Sequence, residues 1–162
     1  MQKTIVKLPE IRLVGLRTRT NNQDELDLNK AKIGGVIANY FSNQIPDKIP
    51  NLLTKEQTYS VYSNFESDFH GCYDYFYGGW VASFDNILPD LATLIIPPQT
   101  YVKFTTDKGV MPKIVIDGWM KIWQMSSEEL GGIRSYIADF EIFDQRASDP
   151  QNAVVDIYIG IK

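Results

Sequence analysis

The fold is decided by the stretch LPEIRLVGLRT at residues 8–18, because its pattern returns as IPPQTYVKFTT at residues 96–106. Each copy begins with an apolar residue and a proline, continues as a run of strand-forming residues and ends in polar residues. A shorter pair of segments follows in the same order, YDYFYG at residues 73–78 and VDIYIG at residues 155–160. Such echoes predict two similar halves packed about a pseudo-twofold axis. The seam between two halves is a natural place for a ligand.

Both halves have the order strand, helix, strand, strand. The first strand of each half is interrupted, at Pro9 and at Pro97-Pro98, because proline has no amide hydrogen to donate to a β-ladder. Apolar residues at helical spacing mark one helix in each half: Ile33, Val36, Ile37, Tyr40 and Phe41 in the first, and Ile116, Trp119, Met120 and Trp123 in the second. We therefore predict a single α+β domain of two β-α-β-β repeats, roughly residues 1–83 and 92–162.

Composition limits the class of protein. The 162 residues suffice for one domain with a sizeable core. The net charge of −4 disfavours direct binding of nucleic acid, which needs a basic face for the phosphates. Cys72 is the only cysteine, so no disulfide can form within the chain, as is usual in a reducing cytoplasm. The first residues are too polar for a signal peptide, and no apolar run approaches the ~18 residues that cross a bilayer. We expect a cytoplasmic protein that does not enter a membrane.

Several kinds of catalytic and cofactor site are disfavoured. His70 is the only histidine and lies in a polar segment beside Asp68, so a Ser-His-Asp or Cys-His mechanism has one weak candidate. One histidine and one cysteine make a poor zinc site. The chain has no Gly-x-Gly-x-x-Gly motif and no phosphate-loop lysine. We therefore expect neither a metal nor a cofactor.

Carboxylates stand among aromatic residues in the segment YIADFEIFD at residues 136–144. Strand alternation places Asp139, Glu141 and Phe143 on one face and their neighbours on the other. Burying a charge is costly unless it is paired. Glu141 is therefore either an exposed residue on a half-buried strand or the carboxylate of a ligand pocket, and the sequence leaves both interpretations open.

Aromatic residues form a second set of candidates. Tyr75 and Tyr77 share one face of their strand, and Trp80 follows two glycines. Trp119 and Trp123 lie one helical turn apart. These side chains are either ordinary core residues or an aromatic wall that stacks on a flat or cationic ligand.

Glu66 is a candidate first-half counterpart of Glu141. The tripeptide Asn64-Phe65-Glu66 is similar to Asp139-Phe140-Glu141, although a polar strand end is an alternative explanation. The candidate ligand-binding residues are therefore Glu141, Tyr75, Tyr77, Trp80, Trp119, Trp123, Phe143 and Glu66.

In this order and spacing, five segments resemble the GyrI-like or AraC-type effector-binding domain family of bacteria. They are the opening Leu8-Pro9 strand, the strand at residues 96–104, the Trp119-x-x-x-Trp123 helix, DFEIFD at residues 139–144 and DIYIGI at residues 156–161. The resemblance implies that both halves form one antiparallel sheet with two helices and a pocket at the seam. It also implies that Glu141 lies in this pocket and meets cationic, lipophilic and often aromatic ligands.

The resemblance favours a stand-alone small-molecule-binding protein. Many relatives carry this domain fused to a DNA-binding domain, which we do not expect in this chain. Two alternatives stay open. A hydrolase branch of the family makes Glu141 a candidate general base. Other relatives affect DNA gyrase, which makes a protein-interaction module, with a partner that the sequence does not specify, the second alternative.

Overall fold

One antiparallel sheet organises the protein. The computed structural model describes all residues, Met1–Lys162. The strands are β1 (Gln2–Leu8), β2 (Ile11–Thr20), β3 (Thr58–Ser63), β4 (Tyr73–Trp80), β5 (Ala92–Ile96), β6 (Gln99–Thr105), β7 (Ala138–Phe143) and β8 (Asp156–Ile161). The helices are α1 (Asn22–Glu25), α2 (Ile33–Ser42), α3 (Ile45–Lys48), α4 (Lys113–Gln124) and α5 (Ser127–Leu130). The predicted α+β fold is confirmed. None of these helices combines the length and the apolarity that crossing a bilayer requires.

The two halves exchange their edge strands. The strand order is β1-β6-β8-β7-β3-β4-β2-β5, so β7 and β3, one from each half, form the central pair. β1 from the first half pairs with β6 of the second, and β5 from the second half pairs with β2 of the first. The central β3–β7 pair is therefore the seam between the halves.

The prolines explain how the chain makes this exchange. The break between β1 and β2 falls on Pro9-Glu10, and the break between β5 and β6 falls on Pro97-Pro98. Proline cannot donate to a ladder, so the strand ends there. The chain then passes from one half of the sheet to the other. The repeated apolar-proline step in the sequence thus marks the two crossing points.

Both long helices pack on the same face of the sheet. α2 lies over β2 and β4, where the ring of Tyr40 meets that of Tyr77 edge-on at 5.0 Å between centroids. α4 lies over β6 and β8, where Trp119 and Ile122 pack with Val102 and Ile157. The seam strands β3 and β7 therefore form the floor between the two helices.

The opposite face of the sheet carries a separate aromatic core. Phe140 stacks on Tyr158 at 4.7 Å between ring centroids and meets Tyr101 edge-on at 5.1 Å. Leu13 on β2, from the first half, and Ile96 on β5, from the second, belong to the same buried cluster. Strands from both halves contribute to this core, and no helix does. Burying these large side chains is a main contribution to stability.

The strand registers define the pseudo-twofold relation residue by residue. Matching the two proline breaks makes Arg17 on β2 equivalent to Thr105 on β6. Arg17 lies opposite Phe76 on β4, and Thr105 lies opposite Asp156 on β8. Phe76 and Asp156 are therefore equivalent positions, whereas the sequence echo of residues 73–78 in residues 155–160 aligns Asp74 with Asp156.

Moving one strand further toward the centre of the sheet, from β4 to β3 and from β8 to β7, reaches the seam. From Phe76 and Asp156 the register leads to Val61 on β3 and Ile142 on β7. Their neighbours Ser60 and Glu141 are then equivalent as well. Since Ser60 also pairs directly with Glu141 across the seam, the pseudo-twofold axis passes between these two residues.

The short helices begin at residues that cap or tolerate a helix start. α1 begins at Asn22, where the side chain of Asn21 accepts from the amide of Asp24. Pro46 lies in the first turn of α3. Proline is tolerated there because first-turn amides have no partner within the helix.

Candidate ligand-binding site

Glu141 is buried at the centre of the seam. Its side chain projects from β7 toward the helices, and only 2% of the residue is exposed. Oε1 accepts a hydrogen bond from Trp119 Nε1 at 2.5 Å and another from the Tyr62 hydroxyl at 3.0 Å. Both of these hydrogen bonds fall on the same oxygen. The Ser60 hydroxyl, which lies opposite Glu141 in the ladder, also favours the charged carboxylate. All three partners are neutral.

Burial raises the pKa of Glu141 above its ordinary value. The hydrogen bonds from Trp119, Ser60 and Tyr62 act in the opposite direction, because they stabilise the charged form. The pKa is nevertheless raised, so the loss of hydration outweighs the neutral donors. These hydrogen bonds therefore do not fully replace the hydration that the ionised carboxylate loses on burial.

The other buried carboxylates of the sheet have cationic partners. Asp139 binds Arg134 at 2.6 Å and accepts from the amide of Gly160 at 2.8 Å. Asp156 binds Arg146 at 2.6 Å and lies 3.4 Å from Lys103. Glu141 has no lysine or arginine within ion-pair distance. It is therefore the buried carboxylate that lacks a positive charge.

Tyrosine and tryptophan rings surround this carboxylate. The Tyr62 ring centroid lies 5.2 Å from that of Trp119 and 5.4 Å from that of Tyr75. The Tyr75 hydroxyl is 2.6 Å from the Ser60 hydroxyl, and Ser60 lies opposite Glu141 in the ladder. The seam thus combines one carboxylate, one serine hydroxyl and three aromatic faces, an arrangement that suits an aromatic cation.

Sequence reasoning missed Tyr62 and Ser60. Ser60 and Tyr62 lie two residues apart on β3, so period-two alternation already placed them on one face. What the sequence did not reveal is that β3 pairs with β7. Without that long-range pairing, nothing connected Ser60 or Tyr62 with Glu141.

Five further predicted residues lie on the same side of the sheet as Glu141. Tyr75 and Trp119 reach its immediate surroundings, as described above. Phe143, two residues farther along β7, is half-buried and packs against the apolar clusters under both α2 and α4. Tyr77 is farther away and shares a hydrogen bond of 2.9 Å with the Thr58 hydroxyl. Trp123 stacks on Phe69 at 5.6 Å between ring centroids, one turn away from Trp119.

Two predicted residues are not brought to Glu141. Trp80 lies three residues beyond Tyr77 on an uninterrupted strand, so its side chain belongs to the opposite face, where it meets Tyr59 edge-on. Glu66 is exposed in the loop after β3. The residue equivalent to Glu141 is Ser60, because register, and not local similarity of sequence, sets equivalence.

The structure has two cavities in the region of the seam strands. A polar cavity of about 400 Å³ lies beyond the ends of β3 and β7, lined by residues that include Glu56 and Arg146. A more apolar cavity of about 220 Å³ lies beside Trp123 and Tyr136. Neither has Glu141 in its lining. Trp119 and Tyr62 donate hydrogen bonds to the carboxylate and cover it.

Comparison with known proteins identifies the family. The model of the Cass2 family, described as integron-associated effector binding protein, matches residues 4–161. The chain belongs to this family. The YobU protein of Bacillus subtilis (strain 168), named as a candidate transcriptional regulator, is 30% identical over 152 residues, which cover 93% of this chain and 92% of YobU.

Solved structures share the fold. The integron cassette protein VCH_CASS2 of Vibrio cholerae superimposes with a TM-score of 0.77 at 28% identity, covering 99% of this chain and 95% of that one. SAV2435, solved with bound tetraphenylphosphonium, gives a TM-score of 0.77 at 16% identity and covers 100% of this chain and 94% of its own. These matches agree with the GyrI-like effector-binding fold expected from the sequence. Membership of an effector-binding family indicates that the protein binds small molecules.

Proposed function

We propose that this protein binds lipophilic aromatic cations, with Glu141 as the counter-ion and Tyr62, Tyr75 and Trp119 as the aromatic walls. The observation that carries the proposal is a buried carboxylate without a cationic partner. Asp139 and Asp156, which are also buried, both have one. A cationic ligand would supply to Glu141 the positive charge that Arg134 supplies to Asp139 and Arg146 to Asp156.

Electrostatics and packing then favour the same ligand. The low dielectric of a buried site strengthens an ion pair that water would screen. Each cation–π contact with a tyrosine or tryptophan face adds roughly 0.5–2 kcal/mol. An apolar anion would be repelled by the carboxylate and would gain neither the ion pair nor the cation–π contacts. SAV2435, which shares the fold, was solved with an aromatic cation, and this supports the proposal.

Isosteric ions provide the direct test. Tetraphenylphosphonium and tetraphenylborate have nearly the same shape and opposite charge, so calorimetric titration with each separates charge from apolar burial. We expect the cation to bind and the anion to give no saturable heat. Glu66→Gln, which removes an exposed charge of the same kind, is the matched control for Glu141→Gln. Equal affinity for the two ions would refute the proposal.

A hydrolase is the second candidate, because burial raises the pKa of Glu141 and makes its carboxylate a stronger base. Turnover of an activated aryl ester by the wild-type protein, lost in Glu141→Gln, would support it. Turnover that persists in this variant would exclude Glu141 as the base.

We further propose that ligand binding serves regulation. The name of YobU and the predicted likeness to AraC-type effector domains support this role. A regulatory role requires a protein partner whose affinity changes with ligand. Co-purification with and without tetraphenylphosphonium tests for it, and an unchanged set of partners would argue against the role.

A further inference from the structure

We infer that the ligand carries two aromatic groups, one on each side of its positive charge, because Tyr62 and Phe143 form two equivalent walls about the pseudo-twofold axis. This inference rests on the proposed function and concerns the same site. It specifies the shape of the ligand, which neither the family nor the position of Glu141 determines.

The equivalence of the two walls follows from the register. Ser60 and Glu141 are equivalent positions on either side of the axis. Two residues farther along each strand stand Tyr62 on β3 and Phe143 on β7. A step of two residues keeps each side chain on the face that carries Glu141. The two rings therefore lie at equivalent positions on opposite sides of the carboxylate.

Packing distinguishes these two rings from the other aromatic residues. One apolar cluster lies under α2 and contains Tyr40, Tyr75 and Tyr77, and another lies under α4 and contains Trp119 and Ile157. Tyr62 and Phe143 are the side chains that pack against both clusters. Both are half-buried, whereas Tyr75 and Trp119 are buried.

A single charge between two equivalent rings selects a particular ligand shape. A cation at Glu141 with two aromatic arms can place one arm on Tyr62 and the other on Phe143. A cation with one arm has two equivalent ways to bind and uses one wall at a time. Removal of one wall therefore costs the two-arm ligand a full ring contact, whereas the one-arm ligand loses about half of its binding modes.

Two quaternary ammonium ions test this difference by calorimetric titration. Dibenzyldimethylammonium has two arms and benzyltrimethylammonium has one. We expect the two-arm ion to bind roughly three- to tenfold more tightly, the gain of one additional ring contact. Phe143→Leu and Tyr62→Leu should each remove that gain, while weakening the one-arm ion only about twofold. Phe143→Tyr and Tyr62→Phe keep the rings and should keep the preference.

The controls separate this inference from the proposed function. Tyr62→Phe measures the loss of the hydroxyl that binds Glu141, apart from the ring. Phe41→Leu removes an exposed aromatic side chain of α2 and should change neither affinity. If neither ion binds, or if Glu141→Gln leaves binding unchanged, both proposals fail. If both ions bind through Glu141 with equal affinity, or if the preference survives both leucine variants, only the two-arm inference is overturned.

Discussion

Glu141→Gln should stabilise the empty protein at neutral pH while it abolishes tight cation binding. The substitution keeps the shape of the side chain and an oxygen that accepts from Trp119 and Tyr62. It removes a charge that burial disfavours. The new amide group can take the place of Oε2, which accepts neither of these two hydrogen bonds. Opposite effects on stability and binding are expected of a residue that serves a ligand.

The sign and size follow from the raised pKa of Glu141. Because the folded protein holds this proton more tightly than the unfolded chain, the free energy of unfolding falls as pH rises from the ordinary glutamate value of 4.5 through the raised pKa. Below 4.5 both states are protonated, and nothing is lost. Each pH unit between the two pKa values costs about 1.4 kcal/mol. The glutamine variant escapes this loss and should therefore be more stable than the wild-type protein at pH 7.

Urea unfolding of both proteins at pH 4 and pH 7 measures this effect. The advantage of the variant should be small at pH 4 and larger at pH 7. For a chain of this length, 1 kcal/mol corresponds to a Tm increase of about 2–4 °C. In the same preparation, affinity for tetraphenylphosphonium should fall by on the order of 2–5 kcal/mol, the usual cost of removing one partner of a desolvated charge pair.

A destabilised variant would refute the reasoning. If Glu141→Gln lowers the free energy of unfolding at pH 7, the hydrogen bonds from Trp119 and Tyr62 anchor the fold, and the carboxylate is structural. Glu66→Gln should change stability by less than about 0.5 kcal/mol, because the side chain is exposed. A larger effect of that control would mean that net charge, and not burial, determines the result.

Three further predictions concern the surroundings of the site. Asp139→Asn should destabilise the protein by about 3–5 kcal/mol in urea, because it leaves Arg134 without its buried partner; a change below 1 kcal/mol would contradict this. Trp119→Phe removes a hydrogen bond that favours the ionised form, so the pKa of Glu141, followed by carboxyl NMR, should rise further. Tetraphenylphosphonium should slow hydrogen exchange in residues 73–81 and 136–143 together, whereas protection of one segment alone would argue against a shared site.

The fold was largely predictable because local signals repeat. The apolar-proline step at Leu8-Pro9 and Ile96-Pro97 marked the strand breaks, and the apolar residues at helical spacing marked α2 and α4. Which strands pair across the sheet could not be derived, since pairing depends on contacts between residues far apart in sequence. The exchange of β1 and β5 between the halves is such a feature.

The site was predictable in part for the same reason. Alternation along β7 correctly placed Glu141 and Phe143 on one face. The same rule, applied to β4, already placed Trp80 on the face opposite to Tyr77, because the two residues are an odd number of positions apart. The prediction that Glu66 is the counterpart of Glu141 was wrong, because a matching tripeptide does not fix the strand register. The closure of the site by Trp119 depends on side-chain packing, for which the sequence has no periodic signal.

The difference between Ser60 and Glu141 has a physical reason in the position of the axis. Perfectly repeated halves would place two identical residues opposite each other at the seam, where cross-strand side chains approach within about 5.5 Å between Cβ atoms. Two glutamates at that distance would repel, and one would keep its proton. A serine on one side leaves a single carboxylate and a hydroxyl that binds Tyr75. The walls formed by Tyr62 and Phe143 can then stay nearly symmetric, while the charge between them is single and matches one cation.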